Sequence, residues 1–277
     1  MAFKDHFSGV AAVYLASRPT YPDALYDVIA SAVPASAQVW EPGCGSGQAT
    51  RGLATRFAHV HATDPSAAQI ERHWANGKAG ANVSLAVEPA ETTALADGSV
   101  DLVAVAQALH WFDRYRFFAT CERVLRPGGV LAAWTYQDII FEDDLAEVAE
   151  KVRDDIDPYW PPERADVDMG YGDYVWPFET IPTPRLWLTA EWNLPTLLGY
   201  FGSLSATGSY RAATGEDPVY AHTPALAEIW GDPQRVRPAG RLGTGPAQQL
   251  LSKRQDQPAF FGRGDEFGRR NLPALRM

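Results

Sequence analysis

The chain has 277 residues, 46% of them hydrophobic, enough for the core of one large domain or of one domain with a substantial insertion. A net charge of −10 argues against nucleic acid as the main partner, and with no apolar run of 18 residues the chain offers no transmembrane helix. The two cysteines, Cys44 and Cys121, sit in no CxxC or Cys/His cluster, so they support neither a disulfide scaffold nor a metal site, and a reducing cytoplasm is the expected location.

In chain order, the apolar stretch Gly9–Ser17 has the length of a signal-peptide core. Asp5 offsets Lys4 ahead of it, so the apolar side of a helix is the expected reading. Residues 21–32 place Ala24, Leu25, Val28 and Ile29 at helical spacing. Strand and helix signals then alternate. A strand over 38–41 runs into a Gly-rich turn, and a helix follows over 48–57. A strand over 59–63 ends at Asp64, and the next helix spans 66–74. Strands are predicted over 83–87 and 100–106, the latter a continuous apolar run of the kind buried on both faces. A helix over 115–125 stops at Arg126-Pro127-Gly128-Gly129, before a strand over 130–134.

This alternation predicts an α/β fold with a Rossmann-like, doubly wound, mostly parallel sheet. Ligands of such sheets bind outside the carboxyl ends of the strands. Residues 142–156 read as an acidic helix. About 157–204 is dense in aromatics and prolines, which suits a capping segment over a pocket, or equally the core of an appended subdomain. Within it, residues 185–192 alternate as a strand does. From residue 235 the chain holds 9 Lys or Arg against 3 Asp or Glu, with no apolar periodicity, and is expected to be poorly ordered. The expected organisation is a core over 1–136, an acceptor-capping insertion with a sheet-completing strand over 137–234, and a basic tail over 235–277.

The chemistry starts at Glu41-Pro42-Gly43-Cys44-Gly45-Ser46-Gly47. Alternate glycines let the backbone turn sharply and let a ligand approach closely. A lone motif of this kind is weak evidence, but here a strand precedes it and a helix follows. Asp64 ends the next strand, where a carboxylate can accept from ribose hydroxyls or cap the following helix. The pattern is GxGxG: Gln48 stands where a dinucleotide fingerprint needs its third glycine. A carboxylate two positions before the first glycine repels a pyrophosphate and favours an ammonium or sulfonium. S-adenosylmethionine (SAM) carries both cations and no phosphate.

Four segments in this order resemble the class I SAM-dependent methyltransferases. They are Glu41–Gly47, Pro89-Ala90-Glu91, the stretch from Asp97 to Val103 with Gln107-Ala108-Leu109-His110-Trp111-Phe112-Asp113, and Leu125–Leu131. The opening with Phe7, Tyr14, Arg18 and Tyr21, the His110–Asp113 loop and the segment Gly199–Ser205 resemble a narrower group related to trans-aconitate methyltransferases, whose acceptors are small molecules, often carboxylates. The resemblance implies SAM as cofactor, with Glu41 near the methionine amino group, Gly43, Cys44, Gly45 and Gly47 cradling it, and Asp64 with Pro65 at the ribose. It implies Ala90 and Glu91 at the adenine, Gln107 and Arg18 toward the methionine end, and Tyr14, His110, Trp111 and Tyr136 at the acceptor. Blander roles stand beside these: Glu91 as a turn cap, Trp111 as core, and Arg18 paired with a surface acid.

His110, at a strand end, is the best catalytic candidate, as base or as orienting donor, with a packing role also open. Arg18, Arg164 and Arg185 are each suited to clamp an acceptor carboxylate. The function read from the sequence is methyl transfer to a carboxylate or hydroxyl oxygen of a small molecule by a monomer or homodimer, with no nucleic-acid or membrane partner. A non-catalytic SAM-binding or vestigial protein and a nicotinamide-dependent oxidoreductase are the alternatives. Proteins with this sheet usually finish with an antiparallel hairpin whose last strand inserts beside the fifth. Residues 185–192 suit one arm, but 235–245 carries proline and glycines where the other is needed. The last strand is therefore expected to be divergent or missing.

Overall fold

The computed structural model describes residues 20–76, 80–141, 144–184, 186–243 and 249–255. Its first half follows the alternation in the sequence. Helix α1 (Asp23–Ala30) precedes β1 (Gln38–Pro42), α2 (Gln48–Ala54), β2 (His59–Asp64), α3 (Ala67–Ala75), β3 (Val83–Val87) and β4 (Val100–Ala106). A short 3-10 turn at Leu109–Trp111 leads to α4 (Arg114–Val124) and β5 (Leu125–Trp134). Ser66 caps α3 by accepting from the Gln69 amide, and Asp113 caps α4 by accepting from that of Arg116. Strands β1 to β5 pair in parallel in the order β3-β2-β1-β4-β5.

Successive side chains on these strands point to opposite faces, so each face needs its own cover. Val39, Val60, Leu102, Ala104 and Val130 pack with Leu25, Ile29, Leu53 and Ile70 from α1 to α3. Their neighbours Trp40, Val103, Val105 and Leu131 face the other way, onto Phe117, Cys121 and Val124 of α4. Leu102 is fully buried at the centre of the sheet, so its loss to alanine costs about 2–5 kcal/mol.

The second half builds a different layer. After β6 (Ile139–Ile140) come α5 (Ala146–Ile156), α6 (Arg164–Asp168), β7 (Glu179–Ile181), β8 (Trp187–Trp192), α7 (Leu194–Gly202), α8 (Ser205–Thr214) and α9 (Pro218–Trp230). Two strands follow, β9 (Arg237–Gly243) and β10 (Gln249–Lys253). A third buried cluster unites Leu145, Val152, Trp192, Leu197, Phe201 and Trp230.

These last strands correct two expectations. The chain keeps regular structure past residue 235, and the seven-stranded sheet is complete. β10 runs antiparallel between β5 and the edge strand β7, giving the order β3-β2-β1-β4-β5-β10-β7. The segments 185–192 and 235–245 do meet, as β8 against β9, but in a separate three-stranded sheet with β6. Proline and glycine are tolerated there because β9 shifts register between Ala190 and Glu191, next to Pro238. The expectations for the apolar helix at 9–17 and for residues 256–277 lie outside the described residues.

Candidate active site

The carboxyl ends of β1, β2, β4 and β5 converge on one edge of the sheet. On the β1 side, Gly43, Gly45 and Gly47 have φ of +67°, +53° and +88°, left-handed conformations that non-glycine residues adopt only under strain. Gly47 is also packed tight: an added Cβ would lie 2.4 Å from Nε2 of His73. Gly45 is the opposite, with nothing within 4 Å of the place a Cβ would occupy. Asp64 ties this loop to β2. Its Oδ2 accepts from the Gly45 amide at 3.0 Å and its Oδ1 from the Ser66 amide at 2.9 Å. Asp64 thus braces the loop and steadies the start of α3, while Ser66 makes the cap itself. Pro65 stands between Asp64 and Ser66, and Cys44 is buried, its Sγ 3.6 Å from Nδ1 of His73.

Glu41 is 1% exposed, and its Oε2 finds no partner among the described residues. Burial pushes its carboxyl up to about 8; Thr50 and then Arg51 pull it down, and Asp64 adds to the rise. A buried acid with an unused oxygen, near an open glycine, suits an ammonium-bearing ligand, whose positive charge would draw the carboxyl to its ionised form. The donor set therefore fits SAM.

Ala90 is buried against the α4 face of the sheet. The Glu91 carboxylate is engaged, with Oε1 accepting from the Asp113 amide at 2.7 Å while its carbonyl accepts from the Thr120 hydroxyl. Glu91 therefore ties its turn to the start of α4.

On the β4–β5 side lies a cavity of about 60 Å³, lined among others by Gln107, His110, Trp111, Tyr136, Trp160 and Arg164. Gln107 has a φ of +52°. Its amide joins the two strand ends: Oε1 accepts from the Tyr136 amide at 2.9 Å and from the Thr135 hydroxyl, and Nε2 donates to the Tyr136 carbonyl at 3.0 Å. His110 places Nδ1 3.1 Å from the Tyr171 hydroxyl. Burial, helped by the Arg164 guanidinium, pushes His110 down to about 3, so its ring is neutral at ordinary pH. Arg164 lies 4.2 Å over the Trp160 ring and bridges Asp138 at 3.0 Å and Asp168 at 2.7 Å.

The structure thus gathers the expected residues into two neighbouring groups, Glu41 to Asp64 and Gln107 to Tyr136. Tyr14, Arg18 and Arg185 lie outside the described residues; Arg164 lines the cavity. Sequence reasoning passed over His73, Tyr171 and Asp138. His73 sits on a helix among polar neighbours, and Tyr171 is one aromatic among many. Among the described residues, no three His, Cys, Asp or Glu are grouped to hold a metal, and no helix is long and apolar enough to cross a membrane.

Comparison with known proteins agrees with this geometry. A family model described as a methyltransferase domain matches residues 40–133. A Dictyostelium discoideum protein named as a methyltransferase is 36% identical over 220 residues, covering 78% of this chain and 82% of its own. A Saccharomyces cerevisiae protein named as an S-adenosylmethionine-dependent methyltransferase is 30% identical over 131 residues, 46% of this chain and 45% of its own. A solved structure named as a type II methyltransferase from Anaeromyxobacter dehalogenans is 37% identical, with a TM-score of 0.76, covering 87% of this chain and 99% of its own.

Proposed function

This chain belongs to the S-adenosylmethionine-dependent methyltransferases, and we propose that it methylates a carboxylate or hydroxyl oxygen of a small molecule held in the cavity beside His110. When bound, SAM supplies a methyl group already activated on a sulfonium. The protein's task is then to align the acceptor with that methyl and to exclude water, and alignment of this kind contributes about 7–11 kcal/mol.

The observation that carries the reading is the adjacency of two unlike sites at one sheet edge. Glu41, with its unused buried oxygen, would hold the cofactor's ammonium. The glycine loop, braced by Asp64, would let the cofactor lie against backbone, with Pro65, Ala90 and Glu91 shaping its nucleoside end. Across the strand ends, Trp111, Tyr136 and Trp160 would enclose the acceptor, and Arg164 would hold an anionic group on it. Gln107 would fix the wall between the two.

Isothermal titration with S-adenosylhomocysteine tests the cofactor half, with NAD⁺ as a parallel control. The expected result is micromolar binding of the nucleoside thioether alone, weakened at least about tenfold, or 1.4 kcal/mol, in Asp64→Ala. Absence of binding by folded protein would sink the proposal. With binding established, a screen of small carboxylic acids and phenols for labelled methyl transfer tests the acceptor.

A further inference from the structure

One buried donor at the carboxyl edge of the sheet has no role so far: the indole N–H of Trp134. The residue ends β5 and is 3% exposed, and its Nε1 finds no partner among the described residues. Burying an indole N–H without an acceptor is costly, so an orphan of this kind calls for an explanation. The backbone there is satisfied, since the Trp134 carbonyl accepts from the Gln107 amide at 2.9 Å. Only the side chain is left over. The Tyr21 ring stands perpendicular to the indole with centroids 5.6 Å apart and helps hold it in place.

The sheet's register relates this donor to Glu41. Trp40 pairs with Val103 and Val103 with Leu131, so Glu41 lies one residue beyond that row and Trp134 three. At about 4.8 Å between strands and about 3.3 Å per residue, their backbones are about 12 Å apart. Trp134 packs in the cluster that holds Val39, Leu102, Ala104 and Val130. Glu41 follows Val39 by two residues and so points to the same face. On that face β4 carries Ala104 and then Ala106, so no long side chain from it stands between the acid and the indole. An ionised Glu41 can only accept and the indole can only donate. One ligand group meets both needs, an α-amino acid zwitterion, with an ammonium for the acid and a carboxylate for the indole.

We propose that Trp134 is a cofactor-recognition residue whose indole N–H donates to the α-carboxylate of S-adenosylmethionine while Glu41 takes the ammonium. This rests on the cofactor site described above and deepens it, because it makes Trp134 a determinant of specificity. The decarboxylated form of the cofactor keeps the sulfonium, the reactive methyl and an ammonium, and differs at the one group that Trp134 reads. A hydrogen bond to a charged group is strong enough to set a preference of about tenfold.

Isothermal titration compares S-adenosylhomocysteine with its decarboxylated amine, in the wild type and in Trp134→Phe. The wild type should bind the amino acid form at least about tenfold tighter. Trp134→Phe should cut that preference to about twofold or less and leave affinity for the amine within about twofold. A loss shared equally by both ligands would mean that the ring only packs, and it would overturn the proposal. A second readout needs no substitution: the indole ¹H–¹⁵N signal of Trp134 in tryptophan-labelled wild type, identified by its contacts with Tyr21. It should move downfield with S-adenosylhomocysteine and much less with the amine, and equal responses would overturn the proposal even if Trp134→Phe fails to fold. Binding of neither thioether by folded wild type removes the cofactor reading and this proposal with it, whereas binding of both without preference removes this proposal alone.

Discussion

Glu41 carries the site's clearest electrostatic cost, and that cost sets a pH dependence. Its carboxyl is raised from 4.5 to about 8 in the folded chain, chiefly by burial. Between those values the folded state keeps a proton that the unfolded state has released. Stability attributable to Glu41 therefore falls as pH rises through that window, by at most about 1.4 kcal/mol per pH unit. Buried neutral His73 and His110 act in the opposite sense at lower pH, where the unfolded chain binds their protons. The difference between wild type and Glu41→Gln isolates the carboxylate: the gap in thermal midpoint should move in favour of Glu41→Gln from pH 5.5 to 7.5, and a constant gap would refute the assignment. Gly47 is the second residue at which the loop is fully determined. Gly47→Ala meets both a φ of +88° and the His73 ring, so calorimetry should show it destabilised by about 1–3 kcal/mol. The need for glycine at 43, 45 and 47 was legible in the sequence, because a strand led in and a helix led out. The reason for it at 47 was not, because His73 is 26 residues further on and only the fold brings it under the loop.

At the scale of elements, the five parallel strands were readable because short strand signals alternate with helical ones, and β4 stands out as an apolar run buried on both faces. β10 was not readable. Its sequence, Gln249-Leu250-Leu251-Ser252-Lys253, holds two apolar residues among three polar ones and follows a stretch rich in glycine and proline. What specifies it is backbone pairing with β5 and β7 on its two sides, which leaves no signature in hydropathy. Ser252 is buried and its Oγ has no partner among the described residues, so the position tolerates a polar atom without using it. Two substitutions there separate side chain from ladder. Ser252→Ala should leave the chemical-denaturation midpoint unchanged or slightly raised. Ser252→Pro removes a donor between two strands and should cost about 3 kcal/mol or more. Equal effects of the two would argue that β10 does not occupy that position in solution.

At the scale of the molecule, the sheet's two cores and the third cluster are distinct, and the cavity lies where they meet. Gln107, His110 and Trp111 reach it from the strand ends, and Trp160, Arg164 and Tyr200 from the later helices. The sequence showed that an aromatic-rich segment follows the parallel strands. It could not show which of its side chains reach the strand ends, since alternation and helical spacing define faces and not long-range partners. Arg164 joins the two halves energetically, because it bridges Asp138, just past β5, to Asp168 at the end of its own helix. Arg164→Met keeps much of the stem that packs on Trp160 and deletes both ion pairs, leaving a partly buried Asp138 uncompensated. Hydrogen exchange should then rise first in residues 139–171 and leave strands β1, β2 and β4 protected, because the sheet's cores share little with the third cluster. S-adenosylhomocysteine affinity should stay within about twofold, since the glycine loop lies on the other side of Gln107. His110 should become easier to protonate, because the neighbouring positive charge that lowers it is gone. Uniform loss of protection across the sheet would mean that the two halves unfold as one unit, and that the cavity has no wall able to open without unfolding the cofactor site.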